Sequence, residues 1–135
     1  MTLDHLVSLA LAFVLGVPLG RIGEGRGGAP GLRTYSLLSL CVCSLLLVAR
    51  DVARGAMEQA DVMFGVLGAM SFVAWGAIMR SREHAGMTAA VSLWLTGAIG
   101  AGAALGAPFV SSALSLTSAV VLRLPSLVVR LRRRS

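Results

Sequence analysis

An all-α, polytopic membrane bundle is the fold this sequence predicts, on three observations. Twelve arginines and no lysine separate stretches that hold no Asp, Glu, Lys or Arg: His5 to Gly20, Thr34 to Ala49, Val62 to Met79 and Ala85 to Leu122. Of all residues 56% are hydrophobic and 13% charged, with a mean hydropathy of +0.84, whereas a soluble domain carries about 25% charged residues. With 135 residues in total, one membrane domain is expected and a separate soluble one is not.

The elements follow in order. The first span is expected over about 3–20. Asp4 precedes this run and Arg21 follows it, the reverse of the flanks of a cleaved signal peptide, so it reads as a retained span. The second is expected over 34–50 and the third over 62–80. As one helix, Ala85 to Leu122 would be about 57 Å long, nearly twice the roughly 30 Å hydrocarbon core, so it must reverse. Gly106-Ala107-Pro108 is where it can, because Pro disfavours a helical predecessor and Gly permits unusual dihedrals. That gives a fourth span over 86–104 and a fifth over 109–124, five in all. The short first and second spans are accommodated by local thinning or by snorkelling of Arg21, Arg33 and Arg50. Residues 1–124 thus form the membrane domain and 125–135 a basic cytoplasmic tail.

Orientation follows from counting arginines by side. With the amino terminus outside, ten lie inside and only Arg50 and Arg54 remain outside, a strong positive-inside bias. The tail arginines can each gain about 1 kcal/mol near anionic lipid. Of the connections, residues 23–31 form a glycine-rich loop. Charges at 50, 51, 54, 58 and 61 recur at helical spacing, which predicts a segment lying along the outer interface before the third span.

Helices in lipid associate through small residues and occasional hydrogen bonds. Gly16 and Gly20 in the first span, and Ala98, Gly102 and Gly106 in the fourth, lie on ridges of small residues that permit close approach. A glycine-lined pore is the functional alternative, disfavoured because no ionisable residue lies centrally in any span. Cys41 and Cys43 point to nearly opposite sides of a helix and cannot bridge each other. Ser39, Ser44, Ser71, Ser92 and Thr96 can bond carbonyls of their own helices. The Gly-x-Gly-x-x-Gly at Gly23, Gly25 and Gly28 lacks the strand and helix of a dinucleotide site. His5 and His84 fall on opposite sides, so no joint metal site arises, and no nucleophile-and-base set is present. Nucleic acid is excluded because the arginines are divided by spans rather than gathered on one surface.

Two stretches carry a resemblance. GAPGLRTYSLL at 28–38 resembles the Gly-Leu-Arg-Thr-His signature of the MgtC/SapB family of bacterial inner-membrane proteins, and GMTAAVSLWLTGAIGAGAALG at 86–106 resembles that family's Gly-Leu-Thr-Thr-Ala-Ala-Ser-Leu-Trp segment. Between them, 62–80 follows the family's glycine-rich third span without a gap. On this resemblance the family positions are Glu24, Gly31, Leu32, Arg33, Thr34, Gly76, Gly86, Thr88, Ser92, Leu93 and Trp94. It implies a five-span domain, usually followed by a soluble cytoplasmic domain, with no enzymatic activity attached. It also implies links to survival in low magnesium and within macrophages and to inhibition of the F-type ATP synthase, with magnesium transport itself generally doubted. The sequence departs at Tyr35, which replaces the signature histidine, at Asp61, where an arginine is usual, at Phe64, which replaces a glutamine, and at Ser71, Ala74 and Trp75, where small residues or glycine are the rule. The third span is therefore bulkier and lacks a polar side chain. No counterpart of the soluble domain is present, so functions that need it are not expected.

Arg33 sits where the second helix begins, against the helix dipole, with Thr34 available to cap. Three readings stand: a positive-inside anchor, a tie from its guanidinium to Glu24 or to carbonyls of the Gly86 to Thr88 turn, and a direct contact with an anionic ligand. Trp94 lies too deep for an interfacial belt and is expected to pack among small neighbours with its indole N–H bonded; Trp75 is weighed the same way, and a ligand box is the lesser reading of both. The expectation is a small, non-enzymatic inner-membrane protein without cofactor or metal. It would act by binding another membrane protein or by homo-oligomerisation, with a role in magnesium limitation or stress. The alternative is a subunit of an ion or small-solute transporter or channel.

Overall fold

The computed structural model describes residues 3–24, 31–53, 55–80 and 85–132, with backbone alone at 24, 85 and 125–132. The described residues form five helices and no strand: α1 (Leu3–Glu24), α2 (Leu32–Val52), α3 (Ala56–Arg80), α4 (Ala85–Ala104) and α5 (Pro108–Arg132). The first four are long and apolar enough to cross a membrane, and the apolar part of α5, Pro108–Leu124, is shorter. About 17 residues, its length, is the lower bound for a spanning helix. The predicted all-α membrane bundle is thus the observed one, and each predicted span lies within one helix. The helix α5 does not stop at 124 but carries the backbone of the basic tail to Arg132.

Helix ends account for the differences. Gly31, extended at φ −89 and ψ −176, occupies the N-cap of α2 without a side-chain bond. Thr34 lies beyond the capping position, and its own N–H donates to the Gly31 carbonyl at 3.0 Å. The interfacial segment expected over 50–61 is not formed. Instead α2 continues through Arg50 and Asp51, Ala53 is extended at φ −66 and ψ 131, and α3 begins at Ala56. The charge spacing there belongs to two successive helix ends, which mimic one amphipathic helix when read without the break.

The reversal between α4 and α5 falls where Gly and Pro place it. Gly106 has φ +76, and the Ala107 N–H reaches back to the Gly102 carbonyl at 2.8 Å, the Schellman closure that needs a left-handed residue before it. Pro108 then opens α5, at the first helical position where its missing N–H costs nothing. Gly106 is therefore a turn residue, and an added Cβ there would meet nothing. Its expected place on a packing ridge is corrected accordingly.

At the centre lies α4, which packs against all four other helices. Of its most apolar window 61% is buried, against 11% for α3. Composition explains this: Ala, Gly, Ser and Thr occupy most of α4, so neighbours approach it from several sides. Glycines mark the closest approaches. A Cβ at Gly16 would lie 3.0 Å from the Ser36 Cα, and one at Gly20 2.5 Å from the Leu32 Cα, so the backbones of α1 and α2 touch there. A Cβ at Gly100 would collide with the Ser39 carbonyl of α2, one at Gly97 would lie 2.7 Å from Met70 Cε of α3, and one at Gly102 would strike the Ser111 hydroxyl of α5. The ridge of α4 thus runs through Gly97, Gly100 and Gly102, whereas Ala98 is exposed.

Hydrogen bonds between helices add to this packing. The Ser111 hydroxyl of α5 donates to the Ile99 carbonyl of α4 at 2.9 Å, and Ser115 donates to the Leu15 carbonyl of α1 at 2.7 Å. Leu15 lies beside the bend-prone stretch before Pro18, whose missing N–H leaves the Val14 carbonyl without its usual partner. At the far end of α2, Arg50 Nη1 donates to the Ala104 carbonyl at 3.3 Å, placing positive charge on the carboxyl end of α4.

Candidate functional site

The fold brings the two signature stretches together. Tyr35, in the second turn of α2, is buried, and its hydroxyl meets the Ser92 hydroxyl of α4 at 2.5 Å. Ser92 also donates to the Ala89 carbonyl at 2.8 Å. Its single proton is then committed, so Tyr35 is the donor of the pair. One turn on, the Thr96 hydroxyl donates to the Ser92 carbonyl at 2.8 Å. Leu93 is buried beside this node, in one cluster with Tyr35, Leu19 and Ile99. This is a satisfied polar tie between α2 and α4 in an apolar surround.

The other signature positions separate. Gly86 is buried; Arg33, Thr34 and Thr88 are exposed, and Gly31 and Leu32 are half-buried at the start of α2. Arg33 has no hydrogen bond or ion pair among the described residues, the carbonyls of 86–88 included. The side chain of Glu24 lies outside the described residues. Arg33 therefore stands as an outward cation, not as a clamp on the second signature. Gly76 lies apart, exposed on α3 with open space about it. Trp94 is 38% exposed and edges a small cleft of about 100 Å³ with Met63, Leu67 and Met70 of α3 and Gly97. Its indole N–H has no hydrogen bond among the described residues, so the enclosed, bonded indole that was expected is not what forms.

Charge is sorted by end. The helices alternate in direction, as the contacts Gly20 to Leu32, His5 to Asp51 and Arg50 to Ala104 require. Arg21, Arg33, Arg80 and Arg123 are exposed at one end of the bundle. Asp4, Asp51, Glu58 and Asp61 are exposed at the other together with one described arginine, Arg50, with His5 Nε2 3.6 Å from Asp51 Oδ1. No group of three metal-ligating side chains occurs among the described residues, and Cys41 and Cys43 are both free. His84 lies outside the described residues.

The outer face of α3 is the second feature. Only Met70 and Ala74 of this helix are buried. Phe64, Phe72, Trp75 and Met79 project outward, and Gly65, Gly68 and Gly76 between them have nothing within 4 Å of an added Cβ. Large side chains and hollows therefore alternate along a face with no neighbour among the described residues. Trp75 belongs to it, and Phe64 and Ser71 add their bulk outward while Ala74 alone of the substituted positions on α3 packs inward.

Sequence reasoning missed Gly97 and Gly100, and the serines of α5. The spacing of Ser111, Ser115 and Ser118 is a helical face, a signal the sequence did contain. Ser36 was open to the same reasoning, and Ser39 was expected to bond a carbonyl of its own helix; both are buried and neither hydroxyl has a hydrogen-bond partner. That expectation is corrected for Ser39, whereas Ser44, Ser71, Ser92 and Thr96 bond as expected.

These features define the class: a multi-pass membrane protein whose helices are joined by glycine contacts and buried hydroxyls. The model of the MgtC family matches residues 9–131, and the chain belongs to that family. Over 108 residues it is 25% identical to the Escherichia coli K12 protein named "Putative magnesium transporter YhiD", covering 74% of this chain and 50% of that protein. Over 119 residues it is 27% identical to "Protein SapB" of Bacillus subtilis 168, covering 82% and 50%. A Haemophilus influenzae protein is 26% identical over 140 residues, covering 94% and 59%. The chain spans about half the length of the first two relatives. No solved structure matches it significantly.

Proposed function

We propose that this chain is a non-enzymatic MgtC-like protein of the bacterial inner membrane that acts by associating with other membrane proteins or with further copies of itself, and that α3 is the face it uses. One observation carries this reading: α3 is held by one side only, and its glycine hollows at Gly65, Gly68 and Gly76 meet nothing among the described residues. Small residues let backbones come close, and in lipid close packing is what drives helix association. The amino terminus is placed outside and the arginine-bearing end in the cytoplasm, by the positive-inside bias. A role in adaptation to magnesium limitation or other stress fits the family.

The test is affinity purification from native membranes with crosslinking. Wild-type protein is expected to retain a membrane-protein partner or a second copy. Gly65→Leu and Gly68→Leu are expected to lose it while keeping helix content and monodispersity. Retention by both variants contradicts the use of α3.

A second reading, a transporter or channel subunit, is favoured by the unpartnered Ser36 and Ser39 hydroxyls inside the bundle and by the name of the Escherichia coli relative. Flux of Mg²⁺ or another ion into liposomes holding only the purified protein would establish it over the first.

A further inference from the structure

A groove of about 350 Å³ lies between α4 and α5, lined by Met87, Val91, Leu95, Leu114, Val121 and Leu122 with the hydroxyl-bearing Thr88, Ser92, Thr117 and Ser118. It opens because α4 and α5 are drawn together at their turn by Ser111 and Gly102, and because α3 and α5 make no contact across the surface of α4. On α4 it runs from Met87 to Leu95 and on α5 from Leu122 to Leu114. At about 1.5 Å per residue this is roughly 12 Å, beginning near the arginine-bearing end and stopping near mid-span.

That length decides the occupant. A second spanning helix would need a seat along the whole hydrocarbon core of about 30 Å, whereas one acyl chain of one leaflet occupies about half of it. The groove is of single-leaflet depth, and the leaflet is the one on the side of Arg21, Arg33, Arg80 and Arg123. All four described arginines at that end are exposed, and among the described side chains the exposed carboxylates Asp4, Asp51, Glu58 and Asp61 are at the other, with a single arginine, Arg50, beside them. Its hydroxyls add polar partners: Ser118 is buried in the groove wall, and Thr88 is exposed near the mouth. We infer that the groove binds one anionic phospholipid of the arginine-side leaflet, with an acyl chain between α4 and α5 and the headgroup at the arginine-bearing end. This site is separate from the α3 face and does not depend on the association proposed for it.

The experiment is native mass spectrometry of the full chain released from bilayers of equimolar phosphatidylglycerol and phosphatidylethanolamine with identical acyl chains. Wild-type protein is expected to retain phosphatidylglycerol about fivefold over phosphatidylethanolamine, the ratio that one arginine near an anionic surface supplies. Val91→Trp, which fills the groove from an exposed position, should remove the bound lipid. Val120→Trp, exposed on α5 outside the groove, should not. Arg80→Gln with Arg123→Gln should abolish the headgroup preference. Absence of preference in the wild type, or equal loss from Val91→Trp and Val120→Trp, overturns the site. Should Val91→Trp fail to fold, wild-type protein is labelled with phosphatidylglycerol carrying a diazirine on its acyl chain. Adducts are then expected within 87–95 and 114–122, and labelling spread evenly over the helices overturns it.

Discussion

Tyr35 shows how a single side chain ties the two signature stretches. Its hydroxyl donates to Ser92, whose own hydroxyl donates to the Ala89 carbonyl, so no group in the node is left unsatisfied. Removing the donor in Tyr35→Phe keeps the ring and deletes one interhelical bond, worth about 1 kcal/mol in a membrane interior; a lowered unfolding midpoint in detergent is expected, with helix content unchanged. Arg33 makes the opposite case. Exposed and without a bonded partner among the described residues, it needs charge rather than fork geometry. Arg33→Lys is therefore expected to insert and fold like the wild type, whereas Arg33→Ala shifts a fraction of molecules to the inverted topology in protease-protection assays. If Lys fails where Arg succeeds, the guanidinium is doing something other than anchoring. What the sequence made legible at this scale was which residues were unusual; which of them met was not, because the pairing of Tyr35 with Ser92 spans 57 positions.

Among the elements, α3 and α4 divide the glycines into two kinds. Those of α4 meet neighbours: a methyl group at Gly100 would press on the Ser39 backbone, which cannot yield as a flexible side chain can. Overpacking of this kind costs about 1–3 kcal/mol, so Gly100→Ala should lower the yield of monodisperse protein and its unfolding midpoint. Gly68→Ala, with open space around it, should lower neither. The two variants side by side test whether packing within the chain or outside it accounts for each glycine. Helix existence was readable from the charge-free runs, since lipid admits few alternatives to a helix. Ridge identity was not: Ala98, Gly102 and Gly106 follow a regular four-residue spacing, but the contacts follow Gly97, Gly100 and Gly102, because α2, α3 and α5 approach α4 from different sides. The break at Ala53 was likewise hidden, since helical charge spacing persists across it.

For the whole molecule, the layout of charge and the central position of α4 lead to one account: a compactly tied core of α1, α2, α4 and α5, with α3 attached along one side and open on the other. Five crossings put the α4–α5 turn and the carboxyl terminus on opposite faces, so cysteines at position 107 and at the end of the chain are expected to react with impermeant reagents from opposite sides; reaction from the same side contradicts the fifth span. Association through α3 is the central claim, and a photo-crosslinking scan in native membranes tests it most directly. Crosslinkers placed at 64, 68, 72 and 75 on α3, and at the exposed Leu37 and Leu45 of α2 as controls, are read by the size of the adducts formed. Discrete protein adducts from the α3 positions, absent from the α2 positions, are the predicted result. Lipid adducts alone at every α3 position, indistinguishable from those at Leu37 and Leu45, would contradict it.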